Sequence, residues 1–203
     1  MSKLRRIGFL AAVLCATSGV TFAQSPGSDW QGPYVGVHLG GAYADFENSV
    51  PSLPGPTGDA SSGIGGFQLG YNFQNGDMVF GPEIDFTLME LEGKSAGGKF
   101  SEDSMASLRF RAGKVVGDYL IFGSLGVAWT ETDIGFTGTA SASDYEPGVM
   151  VGGGAERFIR EGLSGRIEAY YVDVPKSSQT VSGIPTSAGS QNLLFRAGLN
   201  LHF

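Results

Sequence analysis

The chain has 203 residues, a net charge of −7 and 33 glycines, with 41% hydrophobic residues and 14 phenylalanines. So much apolar and aromatic content excludes a disordered polar chain. The acidic balance argues against nucleic acid as a partner, since its phosphates would be repelled.

Residues 1–23 read as a cleavable secretory signal peptide. Lys3, Arg5 and Arg6 form a basic start, residues 7–16 an apolar stretch, and Thr21-Phe22-Ala23 a small-x-small cleavage site with the cut after Ala23. The only cysteine, Cys15, falls inside this segment, and Leu14 before it does not suit a lipoprotein anchor. Residues 24–203 are then one domain without thiol chemistry, with twenty Asp and Glu against ten Lys and Arg. No run of 18 apolar residues follows the signal, which excludes a helical membrane protein.

From there the chain alternates with period two, the signature of half-exposed strands. Eight strands are predicted: 34–45, 64–74, 78–91, 104–115, 119–130, 147–158, 163–174 and 192–203. The first sets Val35, Val37, Leu39 and Tyr43 against Gly36, His38, Gly40 and Ala42. The last sets Leu193, Phe195, Ala197, Leu199, Leu201 and Phe203 against Asn192, Arg196, Gly198, Asn200 and His202. Segments of this length, 11 to 14 residues, match a tilted strand crossing a bilayer. Pro82, inside the third strand, removes a ladder donor and predicts a bulge or a local gap.

Connections alternate in length. Asn75-Gly76-Asp77, Val116-Gly117-Asp118 and the segment 159–162 are short, whereas 46–63, 92–103, 131–146 and 175–191 are long and polar. Short turns on one side and long loops on the other are the plan of an outer-membrane barrel, with the short side and both termini in the periplasm. The fold class expected is all-β: an eight-stranded antiparallel up-and-down transmembrane β-barrel. A soluble barrel would carry Lys and Glu along its outer face. Here the apolar face carries cations only beside the short turns, at Lys114 and Arg157, while Tyr119, Phe73, Tyr43, Trp129 and Tyr171 mark two aromatic girdles.

Several motifs resemble a known family. Residues 30–36 (WQGPYVG) are similar to the start of strand one in the small porin-like outer-membrane proteins. That group is common in alpha-proteobacteria, includes surface antigens, and is related to the OmpA-type barrel. Gly70-Tyr71-Asn72-Phe73, Phe80-Gly81-Pro82-Glu83 and residues 152–156 (GGGAE) resemble its strand signatures. The ending, residues 196–203, matches the family's barrel-assembly signal, with Arg196, Gly198, Leu201 and the terminal Phe203 at its positions. The resemblance implies delivery by periplasmic chaperones and the barrel-assembly machinery, and contact with outer-membrane lipid and lipopolysaccharide. The periplasmic peptidoglycan-binding domain of OmpA has no counterpart here, so cell-wall tethering is not carried over.

Glu83, Asp85, Arg109, Arg111, Glu156, Arg166, Glu168 and Arg196 share the inward parity, four acids against four arginines. Paired carboxylates can serve acid/base catalysis, but buried charges must pair, and an interior ion-pair lattice filling a narrow barrel is the expectation. His38 and His202 also point inward, at different heights, which does not suit a metal site. No cofactor, metal or catalytic residue is expected. The function expected is a structural and surface-display role in the cell envelope. The alternatives are a narrow channel for small solutes or ions, and adhesion to host surfaces through the long loops.

Overall fold

The computed structural model describes residues 30–49, 58–95, 98–136, 142–181 and 184–203; the signal segment and Ala23 lie outside them. Eight strands follow in chain order: β1 Gly32–Ser49, β2 Gly58–Asn75, β3 Met78–Ser95, β4 Gly98–Val116, β5 Tyr119–Phe136, β6 Ala142–Arg160, β7 Leu163–Val181 and β8 Ile184–His202. Each pairs antiparallel with its neighbour, and β8 pairs back onto β1 to close the barrel. The predicted fold class is the one observed.

At one end the strands are joined by two-residue turns at Gly76-Asp77, Gly117-Asp118 and Glu161-Gly162. Gly76, Gly117 and Gly162 have φ of +59°, +61° and +70°, the left-handed region that a residue with Cβ enters only at a cost. Trp30 and Phe203 lie at the same end, where the Phe203 N–H donates to the Pro33 carbonyl at 3.0 Å.

The pairing fixes the barrel's shape. One row followed from Tyr34 through Gly70, Glu83, Arg109, Gly126, Met150, Val172 and Asn192 returns to β1 at Ala44, ten residues along. That stagger over eight strands tilts them by about 40°.

The strands are longer than their alternation predicts, 18 or 19 residues instead of 11 to 14. At that tilt each spans about 45 Å, well beyond an apolar band of about 25 Å. Most of the four segments expected as loops is therefore hairpin. Pairing continues to Phe46↔Gly58, Ser95↔Gly98, Ile134↔Ala142 and Val181↔Ile184. The reason is physical: alternation ends where lipid ends, but backbone donors and acceptors above the membrane still pair across the same neighbours.

Pro82 produces a gap without a bulge. The β2–β3 pairing stops after Gly70↔Glu83 and resumes at Phe73↔Phe80 in the same register. Register shifts fall elsewhere, at Leu88/Leu91, Glu102/Ser104, Phe158/Arg160 and Val174/Ser177.

Face assignment follows the alternation. Val37, Leu39, Phe67, Leu125, Ile167, Phe195 and Leu201 point outward and are exposed, while their chain neighbours fill the lumen. The glycines make that filling possible. A Cβ at Gly70 would collide with the Tyr34 ring, at Gly152 with Tyr170, and at Gly126 with the stem of Arg109. Large inward side chains thus lie flat against glycine on the next strand.

Candidate functional site

The eight inward charges are brought together in the middle of the lumen, none more than 5% exposed. Glu83 on β3 is the hub. It accepts from Arg109 Nε at 2.9 Å and from Arg166 Nη1 at 2.6 Å, with Arg111 Nη1 at 3.5 Å. The Tyr34 hydroxyl donates to the same carboxylate.

Asp85 is held by Arg196, Ser107 and Thr87, with Arg109 Nη1 at 3.7 Å. Glu156 accepts from Arg111 Nη2 at 2.7 Å, Asn200 Nδ2 at 2.6 Å and the Ser164 hydroxyl. Glu168 faces Arg166 Nε at 3.1 Å and Arg196 Nη2 at 3.5 Å, and takes the Tyr170 hydroxyl. Every acid has at least one arginine, and every arginine at least one acid. Desolvating such charges costs several kcal/mol each, and only mutual pairing offsets it.

Aromatic rings complete the lattice. Arg109 and Arg196 lie 4.5 and 4.6 Å from the centroid of Tyr170, and Arg111 lies 4.3 Å from that of Phe122. These contacts add cation–π attraction within a water-poor space.

Two apolar layers bound the charges. Toward the short turns, Trp30, Val79, Leu120 and Phe122 are buried together, with Val115 and Phe158 against them. Trp30 lies 4.3 Å from Phe158 and 5.7 Å from His202, centroid to centroid. Toward the long hairpins, Met89, Met105, Met150, Tyr170, Leu194, Val172 and Ile64 form a second layer with smaller neighbours. Sequence reasoning named none of these residues as lumen-filling. The signal was available: Phe122, Met150, Tyr170 and Leu194 are apolar residues at inward parity, breaking the alternation where both faces are dry.

The histidines stay in separate networks. His38 Nδ1 lies 2.6 Å from Gln68 Oε1 and its Nε2 lies 3.1 Å from Thr87 Oγ1. His202 Nε2 lies 2.9 Å from Ser164 Oγ and 3.4 Å from Glu156 Oε1. The β7–β8 pairing thus brings a serine and a histidine together beside an acid. Their geometry does not suit nucleophilic catalysis. One ring nitrogen faces both partners, Ser164 donates directly to Glu156, and Ser164 and Glu156 are fully buried. Among the described residues no group of three or more His, Cys, Asp or Glu is arranged to hold a metal.

The residues of the terminal motif divide by parity. Arg196 points inward to Asp85, Gly198 lies against Val37 of β1, and Leu201 and Phe203 point outward, 49% and 57% exposed. The resulting object is a barrel filled across its section by charge pairs between two apolar layers.

A family model described as "Outer membrane protein beta-barrel domain" matches residues 10–203. A 22 kDa outer membrane protein of Rhizobium leguminosarum bv. viciae is 26% identical over 181 residues, covering 88% of this chain and 80% of that protein. The 25 kDa outer-membrane immunogenic protein of Brucella melitensis biotype 1 is 23% identical over 218 aligned positions, covering all of both chains. These relatives are named as outer-membrane proteins and not as enzymes. Among solved structures, OprG of Pseudomonas aeruginosa is similar with a TM-score of 0.58 at 14% identity, covering 85% of this chain and 97% of that one. Neisserial surface protein A has a TM-score of 0.54 at 15% identity, covering 85% and 98%. At such identities the structural likeness speaks for the fold alone.

Proposed function

The chain belongs to the outer-membrane β-barrel protein family, and from that premise we propose that it is a closed anchor in the outer membrane that displays four extended hairpins at the cell surface. The observation that carries this reading is the filled lumen. Charge pairs join opposite walls, and apolar layers lie above and below them, as with Arg166 Nη1 and Glu83 Oε2 at 2.6 Å. A wide water-filled path would need these groups to part. The hairpins continue well past the apolar band, which suits display of surface to the medium. The Brucella relative, named as immunogenic, is in keeping with a surface that antibodies reach.

This reading assigns the chain no catalytic step. Its partners are outer-membrane lipid and lipopolysaccharide around the barrel, and periplasmic chaperones and the barrel-assembly machinery on the way there. Recordings of the purified protein in planar bilayers should show no steady large conductance, and a stable open level would overturn the closed anchor in favour of a channel. Deleting the gene should raise leakage of dye and sensitivity to detergent, and an unchanged envelope would count against a structural role.

A further inference from the structure

Ten Lys and Arg follow residue 23. Four form the lattice, and Lys94, Lys99 and Lys176 belong to the outer parts of β3, β4 and β7. The remaining three, Lys114, Arg157 and Arg160, all lie at the short-turn end of β4 and β6. Among the described residues no other strand carries an outward-facing Lys or Arg at that end, so outward positive charge there is confined to one sector of the wall.

Two of these cations face lipid. Lys114 shares the outward parity of Phe110 and Ala112, Arg157 that of Val151 and Ala155, and both are exposed. Their rows differ: Arg157 opposes Tyr119, which opposes Val116, whereas Lys114 opposes Ile121. The tilt compensates. Each step from β4 toward β6 raises a row by about 3 Å, and two residues back along β4 raise Lys114 by about 5 Å, so the two cations stand at one height about 12 Å apart. Tyr119 lies between them, its ring centroid 5.4 Å from the Arg157 guanidinium. Arg157 Nη2 also contacts Asp118 of the turn at 3.3 Å, an exposed and therefore weak pair.

Above the cations, Ala112, Gly123, Gly153 and Ala169 are successive partners in one row across β4, β5, β6 and β7. Phe110, Leu125, Val151 and Tyr171 stand over that row, leaving a shallow course on the lipid side.

We propose that this sector binds an anionic glycerophospholipid of the periplasmic leaflet. Its phosphate sits between Lys114 and Arg157, its glycerol over Tyr119, and one acyl chain along the small-residue course. Charge complementarity selects this occupant. A second copy of the chain would bring the same positive sector against itself, and the outer leaflet is out of reach from the short-turn end. A cation on the lipid face near the interface costs little by itself and is favoured beside an anionic lipid surface. Tyrosine at the headgroup level is the usual companion. The site is independent of whether the lumen conducts.

The test is native mass spectrometry of the full barrel released from nanodiscs of phosphatidylethanolamine containing phosphatidylglycerol. Heat-shifted mobility on gels checks folding of each variant. The wild-type chain should retain phosphatidylglycerol in preference to phosphatidylethanolamine. Lys114→Gln and Arg157→Gln should each lower that preference about five-fold, and Asp118→Asn, which frees Arg157, should raise it. Lys99→Gln with Lys176→Gln, at the other end of the strands, should leave it unchanged. Equal retention of both lipids, an unchanged preference in Lys114→Gln/Arg157→Gln, or a two-copy mass without lipid would overturn the proposal. Should the double variant fail to fold, an unchanged preference in both single variants would overturn it.

Discussion

Glu83 and Arg166 stand on β3 and β7, four strands apart in a ring of eight, and still meet at 2.6 Å. The contact spans the full width of the lumen. Among the described residues Glu83 is also the only acid that three arginines contact, Arg109 and Arg111 being the others. Cutting Glu83→Ala should therefore leave three buried cations short of a partner and destabilise the barrel by about 3–5 kcal/mol. Glu83→Gln keeps an acceptor and should cost less. Urea titration of the heat-shifted band in detergent micelles measures both, and a Glu83→Ala barrel as stable as wild type would sink the hub assignment.

Glycines on the two faces of β2, Gly70 toward the lumen and Gly63 outward, predict a contrast within one strand. Gly70 lies under the Tyr34 ring, whereas Gly63 has nothing within 4 Å of where its Cβ would stand. Gly70→Ala should cost about 1–3 kcal/mol by overpacking, since the ring is fixed by its bond to Glu83. Gly63→Ala should fall within about 0.5 kcal/mol of wild type. Tyr34→Phe, which removes a buried donor to Glu83, should cost about 1–3 kcal/mol. Equal effects at Gly63 and Gly70 in the same titration would refute the packing account.

What the sequence made legible, and what it did not, follows from where each constraint acts. Lipid demands apolar groups at every second residue, so Leu199, Leu201 and Phe203 were readable as one face without a structure. Inward parity likewise named all eight lattice charges. Which acid meets which arginine depends on the stagger of ten residues around the barrel, and no local pattern records that: Arg166 reaches β3, and Arg111 reaches Glu156 on β6. Trp30 and Met150 escaped because alternation was read as apolar against polar, while the two lumen ends are dry on both faces. The outer halves of the hairpins escaped because, above the membrane, no lipid enforces alternation.

Three layers in series predict how the lumen responds when each is opened. Trp30→Ala/Phe122→Ala removes the bulk of the layer near the short turns but leaves the charge pairs and the methionine layer in place. Conductance should stay at baseline in that variant. Adding Met105→Ala/Met150→Ala thins the other layer and should produce small, short-lived openings, because water can then reach the ion pairs from both sides. Single-channel recording separates these outcomes, and a steady current from Trp30→Ala/Phe122→Ala alone would mean that the charge lattice does not seal the barrel.

Hairpin display predicts that an outer segment can be removed without unfolding the wall beneath it. Leu91 and Glu102 face each other across β3 and β4. Replacing residues 92–101 by Asn-Gly would join them through a tight turn of the favoured kind. Because the lower ladder and lattice are untouched, unfolding should shift by no more than about 1 kcal/mol. Intact cells should lose protease cleavage and antibody binding that map to 92–101. Cleavage and antibody binding at 92–101 that appear in the unaltered protein only after cells are broken open would place the segment on the other side of the membrane and reverse the orientation.

Phe203 separates stability from assembly. Its side chain points outward and is 57% exposed, while its backbone N–H bonds to Pro33 and holds the β8–β1 seam. Phe203→Ala keeps that bond, so refolding into detergent should lose about 1 kcal/mol or less. If the barrel-assembly machinery reads the terminal aromatic group, folded protein in the outer membrane of cells should nevertheless fall several-fold. Leu193→Ala provides the control, since Leu193 is an outward residue of the same strand outside the terminal motif, and its level should hold. Quantifying heat-shifted protein in membrane fractions beside refolding yields in vitro decides the matter: equal losses for both variants in cells would reduce Phe203 to one more lipid contact.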